Sequence, residues 1–168
     1  MKKILLSFAI TFATCCMFVA CGSDDDSGMT FTTTPEEQAV GTYDGTFTRD
    51  YTDLEGVEHH DEATGTLVFT ANTTYVSDIE FTCSSLELSA NSVANISHAN
   101  KDLVFYNNNT SNGLGGRFTG RIINDESVKL IFNTEIEVKR MIGKREKKDR
   151  IVSYWSFTGN KQQSQTTD

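Results

Sequence analysis

The 168-residue sequence has few residues that could cross-link or interrupt its fold, with four cysteines and one proline. Cys15 and Cys16 lie in an apolar N-terminal segment and Cys21 directly follows it, so Cys83 is the one cysteine in the body of the chain. A lone cysteine excludes an intrachain disulfide there, and the fold must therefore be held by a hydrophobic core. Its small polar neighbours predict that Cys83 is buried or half-buried.

Positive charge is nearly absent from the first half of the chain after Cys21. Residues 22–99 contain 15 acidic residues and one basic residue, Arg49, whereas residues 100–168 contain 12 basic and 8 acidic residues. After Cys21 there are 23 acidic and 13 basic residues, a net charge of −10. This acidic balance is unsuited to phosphate backbones, so we expect no nucleic-acid partner.

The N-terminus has the layout of a secretory signal peptide. Lys2 and Lys3 precede an apolar run over residues 4–19 that small residues close. This run is shorter than the about 20 residues that span a bilayer, which argues against a permanent transmembrane helix. The sequence Val19-Ala20-Cys21 resembles the lipobox of bacterial lipoproteins. That resemblance implies cleavage before Cys21 and attachment of lipid to its thiol.

An acidic run follows the cysteine. Ser23-Asp24-Asp25-Asp26 is similar to the export signal of surface lipoproteins in the Bacteroidetes group, although a charge run is also typical of a solvated linker. We therefore predict a signal peptide over residues 1–20 and a lipidated flexible linker over residues 21–38. The lipid on Cys21 predicts an outer-membrane location, with exposure on the cell surface left open, and makes the membrane a partner.

The remaining pattern predicts one all-β domain over residues 39–161 and a disordered tail over residues 162–168. Thr34-Pro35-Glu36-Glu37 predicts a short helical turn before it. Beyond Gly41 apolar and polar residues alternate, no long helical period occurs, and short turns separate the segments. This favours an antiparallel up-and-down β-barrel of about eight strands, because closure removes exposed edges. The predicted strands cover residues 42–51, 63–70, 74–82, 86–88, 103–107, 117–123, 128–139 and 151–158, while residues 90–100 are ambiguous.

The two ends of this domain carry a second resemblance. Gly41-Thr42-Tyr43-Asp44-Gly45-Thr46-Phe47 and Ser156-Phe157-Thr158-Gly159-Asn160-Lys161 resemble the calycin-like, lipocalin-like barrel domains common in Bacteroidetes lipoproteins. Lipocalins proper carry Gly-x-Trp in the first strand, where this chain has Gly41-Thr42-Tyr43. The resemblance implies an eight-stranded barrel and no particular ligand.

Large side chains on the apolar strand faces are candidates for a ligand site, because eight-stranded barrels can hold one small ligand. They can equally fill a solid core, and the pattern leaves both interpretations open. Arg49 continues the face of Tyr43 and Phe47, so it needs a carboxylate partner or a position at an open mouth. The candidate ligand-binding residues are Tyr43, Phe47, Arg49, Tyr75, Phe105, Phe118, Phe132 and Trp155.

A basic segment stands out in this acidic chain. Seven positive charges fall within residues 139–150, a predicted hairpin with Gly143 at its tip. Such a run is often a solvated turn, but it could also contact an anionic envelope partner such as lipid headgroups, an acidic polysaccharide or an acidic protein patch. The candidate partner-binding residues are Lys139, Arg140, Lys144, Arg145, Lys147, Lys148 and Arg150.

Signals for catalysis or metal binding are weak. On a strand, Glu58, His60 and Glu62 would share a face and could hold a divalent ion, but a charged surface hairpin is the simpler interpretation. We therefore expect no catalytic residue, no metal and no cofactor. The leading hypothesis is a non-catalytic, lipid-anchored envelope protein that binds a small hydrophobic ligand or glycan. The alternative is an interaction module with a solid barrel that docks an anionic partner through residues 139–150.

Overall fold

The computed structural model describes residues 33–110 and 113–163. The predicted signal peptide, Cys21, most of the predicted linker and the last five residues of the predicted tail lie outside these residues. The described chain starts with a short helix, α1 (Pro35–Ala39), and a 3₁₀ turn (Ser84–Leu86) separates the third and fourth strands. The strands are β1 (Gly41–Thr52), β2 (Glu58–Thr73), β3 (Val76–Cys83), β4 (Leu88–Ala99), β5 (Asp102–Asn107), β6 (Phe118–Ile123), β7 (Ser127–Ile142) and β8 (Arg145–Lys161).

Each strand pairs with its sequence neighbour, and β8 pairs with β1 to close the sheet. All these pairs are antiparallel, which confirms the predicted all-β, eight-stranded up-and-down barrel. Closure gives the backbone groups of β1 and β8 partners that an open sheet would leave exposed. In the part of the chain that the structure describes, helices are too short or too polar to cross a membrane.

Several strand predictions differ from the structure, including that for β2, which extends over Glu58–Thr73 rather than residues 63–70. The ambiguous residues 90–100 belong to β4, whose inward positions include Ala90, Ser92 and Ala94. Because these side chains are small, the alternation of hydrophobicity was weak there. The short strand predicted at residues 86–88 is replaced by the 3₁₀ turn, and β4 begins at Leu88. Strand β7 continues to Ile142, and β8 begins at Arg145, before the predicted residue 151, because residues 145–150 are charged on both faces and show no alternation.

Aromatic side chains in mutual contact occupy the barrel interior. The ring centroid of Phe69 lies 5.5 Å from that of Tyr43 and 5.0 Å from that of Phe105. Nearer the other end, the centroid of Phe81 lies 5.8 Å from that of Phe118. All five side chains are at most 3% exposed. The interior along this path is therefore packed with side chains, the solid-core arrangement that the sequence left open.

Glycines on neighbouring strands make room for these rings. Gly120 on β6 lies directly opposite Phe105 on β5. A Cβ atom at position 120 would overlap the Phe105 ring and would lie 2.7 Å from the carbonyl oxygen of Lys129. A Cβ atom at Gly65 would likewise lie 2.8 Å from the ring of Phe47. This alternation of small and large inward residues is how small barrels fill their interior.

Helix α1 covers one end of the barrel. The backbone N–H of Thr34 donates to Glu37 Oε2 at 3.1 Å, which caps the helix as the sequence predicts. The Tyr43 hydroxyl donates to the carbonyl oxygen of Ala39 at 3.1 Å, and Gln38 Nε2 donates to Asp125 Oδ1 at 2.6 Å. These contacts hold α1 against the barrel, including residues 35–38, which the prediction assigned to the linker.

At the opposite end, called the mouth here, some strands extend further than others. Strands β3 to β6 stop near the barrel rim, whereas β7 and β8 stay paired up to the turn at Gly143. The last residue of β8 that pairs with β1 is Ser153, opposite Tyr51. Residues 135–152 therefore form a two-stranded ribbon, called the long hairpin. At about 3.3 Å per residue, the hairpin projects roughly 25 Å beyond that pair.

Candidate functional site

The structure distributes the eight predicted ligand-binding residues over separate environments. Tyr43, Phe47 and Phe105 are fully buried and fill the interior, with Phe47 packed 4.5 Å from the Phe157 ring. They are core residues rather than the walls of an open pocket. The other predicted residues lie at the mouth, apart from Tyr75.

The prediction that Tyr75 points into the barrel is wrong. Tyr75 occupies the turn between β2 and β3, has a φ of 62°, and is 59% exposed. The inward face of β3 starts two residues later, at Ser77. Alternation had placed Tyr75 on the face of Ile79 and Phe81, but the left-handed backbone at the turn breaks that alternation.

Arg49 lies at the mouth, where it has the carboxylate partner that an inward charge requires. Its Nε donates to Asp61 Oδ2 at 2.9 Å, and the two residues are directly opposite on β1 and β2. The guanidinium carbon lies 4.9 Å from the ring centroid of Tyr51 and 5.3 Å from that of Trp155. Asp61 and the two rings thus hold the guanidinium in place at the mouth.

Three of the predicted aromatic residues line a surface cavity beside the mouth. The rings of Phe132 and Trp155 stack with centroids 5.4 Å apart, and the indole N–H of Trp155 donates to Thr134 Oγ1 at 2.9 Å. With Phe118 they form one side of a cavity of about 430 Å³. The other lining residues are Asn108, Arg117, Thr119, Ile131, Asn133 and Tyr154.

A larger groove of about 630 Å³ runs across the outer faces of β8, β1 and β2. The outward-facing residues that line it are Asp50, Thr52, Glu58, His60, Val152 and Tyr154. Tyr154 lies between this groove and the smaller cavity and lines both. We call the two together the outer groove.

Tyr154 is the most exposed aromatic side chain of the outer groove. It points outward from β8, between Asp50 on β1 and Asn133 on β7, and is 65% exposed. Ile131, on the same side of the sheet, is 60% exposed. An aromatic ring and an aliphatic side chain thus lie open to solvent beside polar side chains, the mixture typical of ligand sites.

Polar groups with defined partners flank Tyr154. His60 Nδ1 lies 2.6 Å from Asp50 Oδ1, and the two residues are opposite on β2 and β1. The hydrogen bond to Asp50, reinforced by its charge, raises the pKa of His60 above its ordinary value. Glu58 adds a second carboxylate, whereas Arg117 and Asn133 line the other side of Tyr154. The outer groove therefore offers two carboxylates and an imidazole on one side of the ring, and a guanidinium and an amide on the other.

The neighbouring histidine, His59, makes its own contacts at the mouth. His59 points inward, stacks on Tyr51 with centroids 4.6 Å apart, and its Nε2 lies 2.8 Å from Asp53 Oδ2. That hydrogen bond, with those from the N–H groups of Val57 and Glu55, lowers the pKa of Asp53. Residues 33–110 and 113–163 contain no cluster of three His, Cys, Asp or Glu side chains arranged to hold a metal ion.

The long hairpin pairs most of its own positive charges. Asp149 accepts ion pairs from Arg140 Nε at 2.7 Å and Lys147 Nζ at 2.8 Å. The hydrogen bond from Lys147 and the charge of Arg140 lower the pKa of Asp149. The other pairs are Lys139–Glu146 at 3.4 Å, Lys148–Glu137 at 2.9 Å and Arg150–Glu135 at 2.9 Å. Among the described residues, Lys144 and Arg145 at the hairpin tip make no ion pair.

A comparison of the sequence with protein-family models and with curated proteins gives no match. The candidate site therefore rests on geometry. Sequence reasoning missed the central residue, Tyr154, because in the sequence it is one of many outward-facing residues on a solvent-exposed strand face. Its proximity to Asp50 depends on the closure of β8 onto β1, which joins residues more than 100 positions apart.

Proposed function

We propose that this protein is a non-catalytic, lipid-anchored envelope protein whose barrel binds a neutral glycan along the outer groove. The observation that carries the proposal is the exposed ring of Tyr154 between polar side chains. The C–H face of a sugar ring packs against an aromatic ring, while its hydroxyls exchange hydrogen bonds with carboxylates, amides and imidazoles. Tyr154 supplies the apolar surface, and Asp50, His60 and Asn133 supply the hydrogen-bonding groups.

The charge of the groove favours a neutral glycan over an acidic one. Asp50 and Glu58 line the larger cavity, where His60 beside Asp50 offsets part of their negative charge, and Arg117 lies in the smaller cavity on the other side of Tyr154. An anionic sugar would be repelled by these carboxylates at short range. A neutral sugar instead presents hydroxyl donors, which carboxylates accept well.

An internal apolar ligand is less well supported. The candidate residues Tyr43, Phe47 and Phe105 are in contact with other rings of the core. A ligand at that depth would have to displace packed aromatic side chains, and overpacking a core typically costs about 1–3 kcal/mol. The glycan half of the sequence-based hypothesis therefore fits the outer surface better than the hydrophobic-ligand half fits the interior.

The lipid anchor and the outer-membrane location are supported by the sequence of residues 1–26, with Cys21 as the lipidated residue. The resemblance to calycin-like domains of Bacteroidetes lipoproteins agrees with an eight-stranded barrel joined by a linker to the lipidated cysteine. We expect the unaltered chain to incorporate labelled palmitate and to fractionate with the outer membrane. A Cys21→Ala variant should incorporate none, and equal labelling of both chains would contradict the anchor.

Glycan binding is tested by titrating neutral oligosaccharides of four to six residues, built from glucose, xylose or mannose, and following the fluorescence of Trp155. Trp155 is the single tryptophan and lines the smaller cavity, so it reports on the groove. We expect Tyr154→Ala to weaken binding at least about tenfold, equivalent to about 1.4 kcal/mol. Tyr154→Phe keeps the ring and should bind nearly as well as the unaltered chain.

Tyr106→Ala is the matched control, because Tyr106 is an exposed outward tyrosine on β5 that lines neither cavity of the outer groove. It should leave binding unchanged. Equal losses for Tyr106→Ala and Tyr154→Ala, or no binding of any of these sugars by the unaltered chain, would refute the proposed site.

A further inference from the structure

The tip of the long hairpin combines exposed apolar side chains with unpaired positive charge. Met141 is 65% exposed and Ile142 is 55% exposed, and Gly143, Lys144 and Arg145 complete the turn. We infer that this tip is a membrane contact that inserts Met141 and Ile142 at the boundary between the headgroups and acyl chains of an anionic lipid surface. The site does not depend on glycan binding or on lipid attachment to Cys21.

The charge distribution singles out the tip from the rest of the basic segment. Residues 135–150 contain seven Lys and Arg and four Asp and Glu, a net charge of +3. The other described residues contain 15 acidic and six basic ones, a net charge of −9. Five cations of the long hairpin form ion pairs with its own carboxylates. Lys144 and Arg145 do not, so they can bind an external anion.

The direction of the two apolar side chains favours a lipid surface over a folded partner. Neighbouring residues on a strand point to opposite faces, so Met141 and Ile142 lie on different sides of the ribbon. A protein surface packed against one face would bury one of them and leave the other exposed. A polysaccharide offers no apolar phase for either residue. Insertion of the hairpin end into a membrane interface buries both, with the cations at headgroup level.

The length of the hairpin keeps the acidic barrel away from the lipid. The tip lies roughly 25 Å beyond the last barrel pair at the usual rise per residue. Electrostatic repulsion is screened over about 8 Å at physiological salt, so the barrel's negative charge has little effect at the tip. Attraction of Lys144 and Arg145 to anionic headgroups therefore acts without strong opposition from the rest of the molecule.

Vesicle co-sedimentation tests this contact in the chain that begins at Gly22, which lacks the predicted lipid and retains the entire closed barrel. The unaltered chain should bind vesicles made of a mixture of phosphatidylcholine and phosphatidylglycerol, and it should not bind vesicles of phosphatidylcholine alone. Each Lys or Arg near an anionic surface is worth about fivefold in affinity, so Lys144→Gln with Arg145→Gln should weaken binding about 25-fold. Met141→Ser with Ile142→Ser should weaken it about tenfold or more.

The matched control removes the same charge elsewhere. Lys101→Gln with Lys129→Gln neutralises two exposed lysines of the barrel and should leave vesicle binding unchanged. Circular dichroism of every variant verifies that the barrel is folded. No binding to anionic vesicles, or equal losses for the tip and control pairs, would overturn the inference. The inference would also be overturned, in favour of a polysaccharide partner, if soluble dextran sulfate bound with the same affinity as anionic vesicles and Met141→Ser with Ile142→Ser left that affinity unchanged.

Discussion

The packed interior can be tested at Gly120, where a single methyl group has no room. A Cβ atom there would overlap the Phe105 ring and approach the carbonyl oxygen of Lys129 to 2.7 Å. Overpacking a core by one methyl group typically costs about 1–3 kcal/mol. For a domain of this size, about 1 kcal/mol shifts the melting temperature by roughly 3–5 °C. We therefore expect Gly120→Ala to lower the melting temperature by about 5–10 °C.

A double variant separates a clash with the ring from a general effect of alanine in the strand. Phe105→Leu shortens the side chain that Gly120→Ala strikes, so the double variant should lose at least about 0.5 kcal/mol less than the sum of the two single changes. Calorimetry and urea unfolding give both quantities. Thr119→Val, an exposed change on the same strand, is the control and should stay within about 0.5 kcal/mol.

An unchanged melting temperature for Gly120→Ala would refute this reasoning, as would strict additivity with Phe105→Leu. Either result would mean that Phe105 has free space beside it. The interior would then be available to a small apolar ligand, and its packing would no longer be a reason to prefer the outer groove as the binding site.

Three further changes follow from other contacts. Arg49→Ala should destabilise the barrel by about 1–2 kcal/mol in urea unfolding, because it removes two ring contacts and a partly buried ion pair. Arg49→Lys should cost less, and equal stability of all three chains would contradict this. Burial opposes ionisation of Glu36, but hydrogen bonds from its own N–H and that of Tyr75 outweigh it and lower the pKa below the ordinary 4.5. The ionised Glu36 carboxylate therefore stabilises the fold above about pH 4.5, and this stabilisation is lost as the pH falls through the lowered pKa. The melting temperature should then fall more steeply in acid for the unaltered chain than for Glu36→Gln. Cys83 is 1% exposed, so in the chain that begins at Gly22 a thiol reagent should modify no cysteine under native conditions and one after unfolding; rapid native labelling would contradict the burial.

Much of the fold was predictable because inward and outward side chains alternate along each strand of a barrel. In β1, alternation alone placed Tyr43, Phe47 and Arg49 on one face, and it correctly required a carboxylate or a mouth position for the arginine. The structure supplies both, since Asp61 lies opposite Arg49 at the mouth. The first strand, predicted to end at Tyr51, ends at Thr52 in the structure, just before the turn.

The outer groove was not predictable because its parts come together through non-local pairing. Asp50 and Tyr154 are neighbours only because β8 closes onto β1. Each of them, taken within its own strand, is an ordinary outward residue. The long hairpin was underestimated for a related reason, since charged residues on both of its faces conceal a strand whose partner is its own second half.

The most direct test of the glycan site is a map of backbone amide shifts during titration with a neutral oligosaccharide that binds. The proposed site predicts that the largest shifts fall on residues 50–60, 117–119, 131–133 and 152–155, around Tyr154. Shifts concentrated on Phe69, Phe105 and their inward neighbours would place the ligand inside the barrel and contradict the account.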